Sequence, residues 1–106
     1  MTVYELVRNV FCKAAENVYH GKASQEPGEY IVWEMSGKTS LRADGTGDTA
    51  AGRYTVDIYT RKEFSEIPEK LEALMDSCDE IFWTDPACNY NETTGYRHYV
   101  YTLEVV

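Results

Sequence analysis

The chain has few basic residues, and this shortage argues against several functions. Ten Lys and Arg residues stand against 18 Asp and Glu, which gives a formal net charge of −8. Binding to nucleic-acid phosphates and to anionic membranes depends on Lys and Arg. We therefore expect no sequence-specific nucleic-acid binding and no docking on a membrane. An acidic surface also suits a protein past which DNA must slide, although a need for solubility alone accounts for it.

Long apolar segments are also missing. No run of 18 apolar residues occurs, so no membrane span is predicted. The opening MTVYELVRNV lacks the basic region and apolar block of a secretory signal. The three cysteines, Cys12, Cys78 and Cys88, are odd in number and widely spaced. This favours reduced thiols in the cytoplasm over a disulfide framework.

Sequence motifs for catalysis, cofactors and metals are absent as well. The chain has no P-loop, no dinucleotide fingerprint and no nucleophile elbow, and its Cys and His residues lack metal-ligand spacing. Two weaker arrangements are Cys88 with His98 as a nucleophile pair and Glu34 with Asp57 as paired carboxylates. Neither comes with an evident oxyanion hole or pocket, so we interpret them as surface groups. We predict no catalytic, cofactor-binding or metal-binding residue and no cofactor.

What the chain does have is Tyr, Val, Ile and Thr in alternating runs. The segments Arg53–Arg61 and Tyr96–Val106 alternate along their length, which is typical of half-buried β-strands. In the first, Asp57 and Tyr59 are expected on the face opposite the apolar residues. The residues predicted to point toward the apolar side are Tyr54, Val56, Ile58, Tyr99, Tyr101, Leu103 and Val105.

Two helices are predicted from apolar residues at helical spacing. The first begins at a capping box, Thr2 with Glu5, and carries an apolar stripe from Val3 to Ala14. The second is capped by Ser65 and tolerates Pro68 in its first turn. Its apolar stripe consists of Ile67, Leu71, Leu74, Met75 and Cys78.

Shorter strands and two loops complete the order of elements. We predict strands at Val18–Tyr19, Tyr30–Met35 and Ile81–Thr84, and polar loops at 36–52 and 85–95, the first rich in glycine. The 106 residues allow one domain, 1–106. The order of elements predicts an α+β fold with a mainly antiparallel sheet and two helices packed on one face.

The sheet face without helices is predicted to carry more aromatic and apolar surface than water usually meets. Tyr59, Val100 and part of the run Tyr30–Met35 lie there, and the chain has nine Tyr residues. Such a surface indicates a partner, and Tyr is enriched at interfaces. We predict an oligomer interface. Its candidate residues are Trp33, Tyr59 and His98 of the strands, and Gly45 and Gly47 of the loop 37–52.

Several segments together resemble the small tail-completion proteins of long-tailed bacteriophages and prophages, also called tail terminators or head–tail joining proteins. The resemblance covers nearly the whole chain in order, through MTVYELVRNVF, YIVWEM, RYTVDIYTR, SEIPEKLEALM and TGYRHYVYTLEV. Its most specific part is a strand Y-x-V-D-I-Y-x-R, a helix, and then T-G-x-x-H before the last strand. The matching residues are Tyr54, Val56, Asp57, Ile58, Tyr59, Arg61, Thr94, Gly95 and His98.

The resemblance implies a structural protein without an active site. Members of the family form a ring, commonly a hexamer, that caps the tail tube and joins it to the head connector while DNA passes through its lumen. It implies identical copies, tail-tube proteins and connector proteins as partners. It also implies assembly in the cytoplasm of the bacterial host and a final place in the virion. A monomer in isolation is compatible with a ring that closes only on the tube.

A different class of function also fits the residues. A small cytosolic ligand-binding or regulatory module could use a face rich in Tyr and Trp, including Trp33 and Trp83, as a pocket. Ligand-induced changes at these two tryptophans would favour this alternative over the structural one. A third reading, a thiol enzyme that uses Cys88, predicts loss of activity in Cys88→Ser.

Overall fold

A computed structural model describes residues 3–38 and 52–106 of the chain. Within these ranges the chain forms two helices and six strands, which confirms the predicted α+β fold class. In chain order the elements are α1 (Val3–Ala14), β1 (Val18–His20), β2 (Glu29–Lys38), β3 (Gly52–Thr60), α2 (Ile67–Asp76), β4 (Ile81–Trp83), β5 (Ala87–Tyr90) and β6 (Arg97–Val105). Neither helix in the described ranges has the length and apolar character that crossing a membrane requires.

The strands form one sheet, and its pairing is mostly antiparallel as predicted. The spatial order is β1, β2, β3, β6 and β4, with β5 also paired to β6. Strand β1 pairs parallel with β2, and the other pairs are antiparallel. Strand β6 therefore has β3 along one edge and both β4 and β5 along the other, so the last strand lies inside the sheet.

Alternation along the central strands sends one set of side chains into the core, as predicted. Val56 and Ile58 of β3 are fully buried, and so are Leu103 and Val105 of β6. Both helices pack on this side, which we call the covered face. The apolar core shared by sheet and helices consists of Val7, Val10, Phe11, Ala14, Ile31, Trp33, Tyr54, Val56, Ile58, Ile67, Leu71, Met75, Ile81, Tyr101, Leu103 and Val105.

The second helix begins one residue later than the predicted cap implies. Glu66 occupies the N-cap position and makes no side-chain capping bond. The Ser65 hydroxyl nevertheless accepts a hydrogen bond from the backbone N–H of Ile67 at 3.2 Å, and it donates to a carboxylate oxygen of Glu29. Because Glu29 begins β2, this contact fixes the start of α2 against the sheet. The helix ends at Asp76, so the last residue of the predicted stripe lies beyond it.

The loops predicted at 36–52 and 85–95 are too long, because both include residues that form strands. Strand β2 continues to Lys38 after an irregularity between Met35 and Gly37, and β3 begins at Gly52. The loop predicted over 85–95 contains β5, whose four residues are all exposed and pair with β6 through the backbone. Without a buried face, β5 has no alternating pattern to reveal it. Thr2 and residues 39–51 lie outside the described ranges.

Candidate functional site

Three aromatic rings lie side by side on the sheet face opposite the helices, which we call the open face. Tyr30 of β2, Tyr59 of β3 and His98 of β6 stand at directly paired positions of adjacent strands. The Tyr30 and Tyr59 rings stack with centroids 4.8 Å apart, and the Tyr59 and His98 rings stack at 4.2 Å. We call these three residues the open-face row. The row exists because β-strand pairing places residues from three distant segments next to one another.

Tyr96, just before β6, closes one side of the row. Its ring meets those of Tyr30 and Tyr59 edge-on, with centroids 5.7 and 6.2 Å away. Its hydroxyl donates to the backbone carbonyls of Glu26 at 3.0 Å and Pro27 at 2.6 Å. Tyr96 is 5% exposed. It therefore fixes the segment before β2 across the edge of the open face.

A cation lies over the outer ring of this cluster. The guanidinium carbon of Arg61 stands 4.4 Å from the Tyr96 ring centroid, which is a cation–π distance. Arg61 is held in place from the other side, since its backbone N–H donates to the carbonyl of Gly28 at 3.0 Å. The cluster thus combines stacked rings with one positive charge, which lies over Tyr96.

His98 also contacts a carboxylate on the neighbouring strand. Its Nε2 lies 2.9 Å from Oδ1 of Asp57, and both side chains are partly buried, 30% and 24% exposed. Asp57 is two residues before Tyr59 on β3, so it reaches His98 diagonally on the same face. The contact fixes the His98 ring against the Tyr59 ring. Because the pair is partly exposed, its main effect is orientation and its contribution to stability is modest.

The weaker catalytic pairs considered from the sequence are not assembled. Cys88 is paired with Tyr99, and the next residue, Asn89, is paired with His98. Because neighbouring residues of a strand point to opposite faces, the side chains of Cys88 and His98 lie on opposite faces of the sheet. Glu34 stands opposite Thr55, whereas Asp57 stands opposite Val32 and contacts His98. Among the residues that the structure describes, no group of three or more His, Cys, Asp or Glu side chains could hold a metal ion.

The tyrosines of the row are held in their neutral form. Burial raises the pKa of Tyr30 to about 12, and the nearby Glu26 carboxylate adds to this effect. Burial also raises the pKa of Tyr59, with a further contribution from Asp57. A neutral phenol keeps its hydroxyl as a hydrogen-bond donor. The two tyrosines therefore bring uncharged rings with a hydroxyl donor to the row throughout the ordinary pH range.

A cleft of about 720 Å³ adjoins the row at the turn between β5 and β6. Its walls combine aromatic rings with amides and with the carboxylates of Glu26 and Glu92. This size is within the range of small-molecule sites, and the mixture of groups suits hydrogen bonding. The cleft is lined by Glu26, Tyr30, Tyr59, Asn89, Tyr90, Asn91, Glu92, Thr94, Tyr96 and His98.

Of the predicted interface residues, two come together and one lies elsewhere. Tyr59 and His98 are adjacent in the row. Trp33 lies on the covered face, 3% exposed, between Phe11 of α1 at 5.4 Å and the stacked ring of His20 at 4.2 Å. Gly45 and Gly47 lie outside the described ranges. Trp33 is thus a core residue and takes no part in the open face.

Sequence reasoning did not single out Tyr30 and Tyr96 as members of this cluster. Tyr30 precedes the apolar run of β2, and its face follows only from pairing with Tyr59. Tyr96 precedes β6, where strand alternation gives no guide to its direction. A scan against known protein families finds no matching family, and a search of curated proteins finds no matching relative.

Proposed function

We propose that this protein is a structural tail-completion protein of a long-tailed phage or prophage, a ring-forming tail terminator that joins head and tail. One observation carries the proposal. The family-like pattern has two parts that are about 40 positions apart in the sequence. Asp57 and Tyr59 of the first part contact His98 of the second part on the open face. The contact joins the two parts of the pattern into one surface feature.

The remaining residues of the pattern support that feature. Gly95 has a φ of +79°, a conformation that favours glycine, and its N–H donates to the carbonyl of Asn91 at 2.8 Å. The Thr94 hydroxyl accepts from the N–H of Tyr96 at 3.3 Å. These bonds shape the turn that delivers Tyr96 and His98 to the row. The pattern therefore describes one turn, two strands and the surface that they build.

The open face supports a contact between identical copies. Helices cover one side of the sheet, while the other side, in the described ranges, presents Tyr59 and His98 without a second layer. A ring requires a heterologous contact, in which one patch of each copy meets a different patch of the next. In our proposal the open-face row is one such patch. Copies assemble in the cytoplasm of the bacterial host and remain in the virion.

The proposed mechanism is geometric and involves no chemical step. The ring caps the last layer of tail-tube subunits, which stops further addition, and its other side receives the head connector. The net charge of −8 suits a lumen through which DNA moves, because acidic groups repel phosphates. In this role the protein has no catalytic residue and no cofactor.

Electron microscopy of the purified protein mixed with its cognate tail tubes tests the proposal. We expect rings at tube ends, and we expect growing tubes to stop at a fixed length when the protein is added. Tyr59→Ala should weaken this binding. Thr102→Ala, which alters an exposed residue of β6 on the same open face, should leave the binding intact. Bare tube ends at saturating protein, or normal head-joined tails after deletion of the gene, would overturn the proposal.

The cleft beside the row favours a second candidate function, a small ligand-binding or regulatory module. Neither of the tryptophans expected at such a pocket lines this cleft. Trp33 is 3% exposed in the core and borders a different groove beside α1, and Trp83 donates its Nε1–H to Asp76 at 2.9 Å. The aromatic part of the cleft wall consists of four tyrosines and His98. A fragment screen followed by NMR favours this function if shifts cluster on Tyr59, Tyr90 and Tyr96 while tube ends stay bare.

A further inference from the structure

Phe64 is the most exposed large apolar side chain among the described residues. It lies between β3 and α2 and is 87% exposed, more than Phe82 at 60% or Tyr90 at 55%. Its neighbours are charged, with Lys62 and Glu63 before it and Glu66 after it. A large ring displayed among charged groups has the form of a hydrophobic anchor, since aromatic anchors dominate many protein interfaces.

A groove of matching character lies between α1 and the edge strand β1. Its volume is about 370 Å³, and rings form much of its wall. Arg8 supplies a positive charge at the groove, and Cys12 places an exposed thiol there. The groove is lined by Tyr4, Glu5, Arg8, Cys12, Val18, His20 and Trp33.

Phe64 does not line the groove of its own copy. It lines a separate concavity with Ala14 and Ala15, at and just past the C-terminal end of α1, and with Ile67 at the start of α2. The groove instead follows α1 from Tyr4 to Cys12 on the β1 side. The anchor and the groove are therefore two different patches on one molecule. Two different complementary patches give a heterologous contact, which closes a ring or propagates a filament.

We propose that Phe64 of one copy inserts into the α1–β1 groove of the next copy, with Glu63 facing Arg8, and that this contact is a joint of the assembled ring. The inference rests on the proposed ring function and adds to the open-face contact. The occupant is a second copy because the charges of the two patches match in opposite pairs: Arg8 and Glu5 line the groove, and Glu63 and Lys62 precede Phe64.

A single anchor of this size accounts for assembly only on a template. Burial of one ring contributes less than the cost of bringing two free proteins together. On a tube end that holds several copies close to one another, the effective concentration is high and the same contact suffices. We therefore expect monomers in dilute solution and joined copies on tubes.

Disulfide trapping tests the joint while keeping Phe64 in place. The variant Glu63→Cys, made with Cys88→Ser to remove an exposed thiol, places a thiol beside the anchor that can reach Cys12 of the neighbour. Diamide oxidises the two thiols to a disulfide and is itself reduced. On tail tubes we expect a ladder of dimers, trimers and larger species in non-reducing gels, because every copy carries both halves of the joint.

Three control variants distinguish the proposed joint from other cross-links. Adding Cys12→Ser should abolish the ladder, and adding Phe64→Ala should reduce cross-linked product roughly tenfold, which corresponds to about 1.4 kcal/mol. Thr84→Cys in place of Glu63→Cys, at an exposed position after β4 that does not line the concavity of Phe64, should give no ladder. Dimers alone, persisting in the Cys12→Ser variant, would indicate a symmetric contact and overturn the joint.

The outcomes separate this joint from the function on which it rests. Rings on tubes without 63–12 cross-links overturn the joint and leave the proposed function standing. A ladder without rings at tube ends overturns the proposed function and keeps the contact between copies. Cross-links from residue 63 to a tube protein in place of Cys12 overturn the joint and assign Phe64 to the tube.

Discussion

On the covered face, Tyr101 is fully buried under α2 and donates its hydroxyl to Glu72 at 2.7 Å, whereas on the open face Tyr59 is half-buried and stacks between Tyr30 and His98. Both residues are tyrosines on adjacent strands of the same sheet. Helix α2 covers Tyr101, whereas Tyr59 is held by the adjacent rings of its own sheet face. The open face is thus ordered without being covered.

This difference separates the energetics of folding from those of the proposed assembly. Covered-face residues contribute to stability through apolar area removed from water. Stacking already fixes the rings of the open-face residues, so these side chains lose less conformational entropy when a partner binds. Changes on the covered face should therefore unfold the protein, while changes on the open face should alter binding more than stability.

The largest expected effect comes from emptying part of the covered face. Leu103→Ala removes a fully buried side chain from the middle of the core and should lower the free energy of unfolding by about 2–5 kcal/mol. Thr102→Ala, the next residue on the same strand and exposed on the open face, should cost no more than about 1 kcal/mol. Urea unfolding of the two variants measures the contrast. Equal losses would mean that the two faces are not energetically distinct.

The second effect is a loss of stability at alkaline pH to which Tyr30 on the open face contributes. The pKa of Tyr30 is raised from 10.0 to about 12, so the folded state keeps a proton that the unfolded state releases. The contribution is complete below pH 10 and is lost as the pH rises through 12, by about 2 kcal/mol over this interval. Urea unfolding of the wild type at these two pH values should show the loss.

Tyr30→Phe isolates this contribution, since it keeps the stacked ring and removes the titrating group. The raised pKa values of Tyr59, Tyr99 and Tyr101 act in the same direction and remain in the variant. The variant should therefore lose about 2 kcal/mol less than the wild type between pH 10 and pH 12. Identical losses in the two proteins would show that Tyr30 is not held in its neutral form.

The covered face could be predicted from the sequence because its residues alternate or repeat at helical spacing. Val56, Ile58 and Leu103 show this pattern directly, and so does the stripe of α1. The open-face row could be predicted only in part. Tyr59 and His98 were identified, whereas Tyr30 becomes their neighbour through strand register, a long-range property that no local pattern contains. The sequence predicts Trp33 at the interface, but the structure places it in the core, because β2 is apolar on both faces and this pattern does not show where each side chain points.

The third effect tests whether the row serves assembly more than folding. Tyr59→Ala removes the central ring and both stacking contacts, and should lower the free energy of unfolding by about 1–2 kcal/mol. Binding to tail tubes, if the proposed function holds, should fall by a larger factor than this loss of stability explains. Thermal unfolding and tube co-sedimentation of the same samples provide the comparison. A variant that stays folded and binds tubes normally would remove the row from the interface.

The smallest expected effect concerns the polar end of the open face, where Arg53 and Glu104 stand at paired positions and their charged groups are 3.1 Å apart. Their side chains are 56% and 53% exposed, so water and salt screen the interaction. Glu104→Gln should change the free energy of unfolding by less than about 0.5 kcal/mol, and 0.5 M NaCl should remove the difference. Urea unfolding at two salt concentrations measures it. A loss above about 1 kcal/mol that persists in salt would mean that this end of the open face is shielded from water, and the contrast between the two faces would then hold only around the aromatic row.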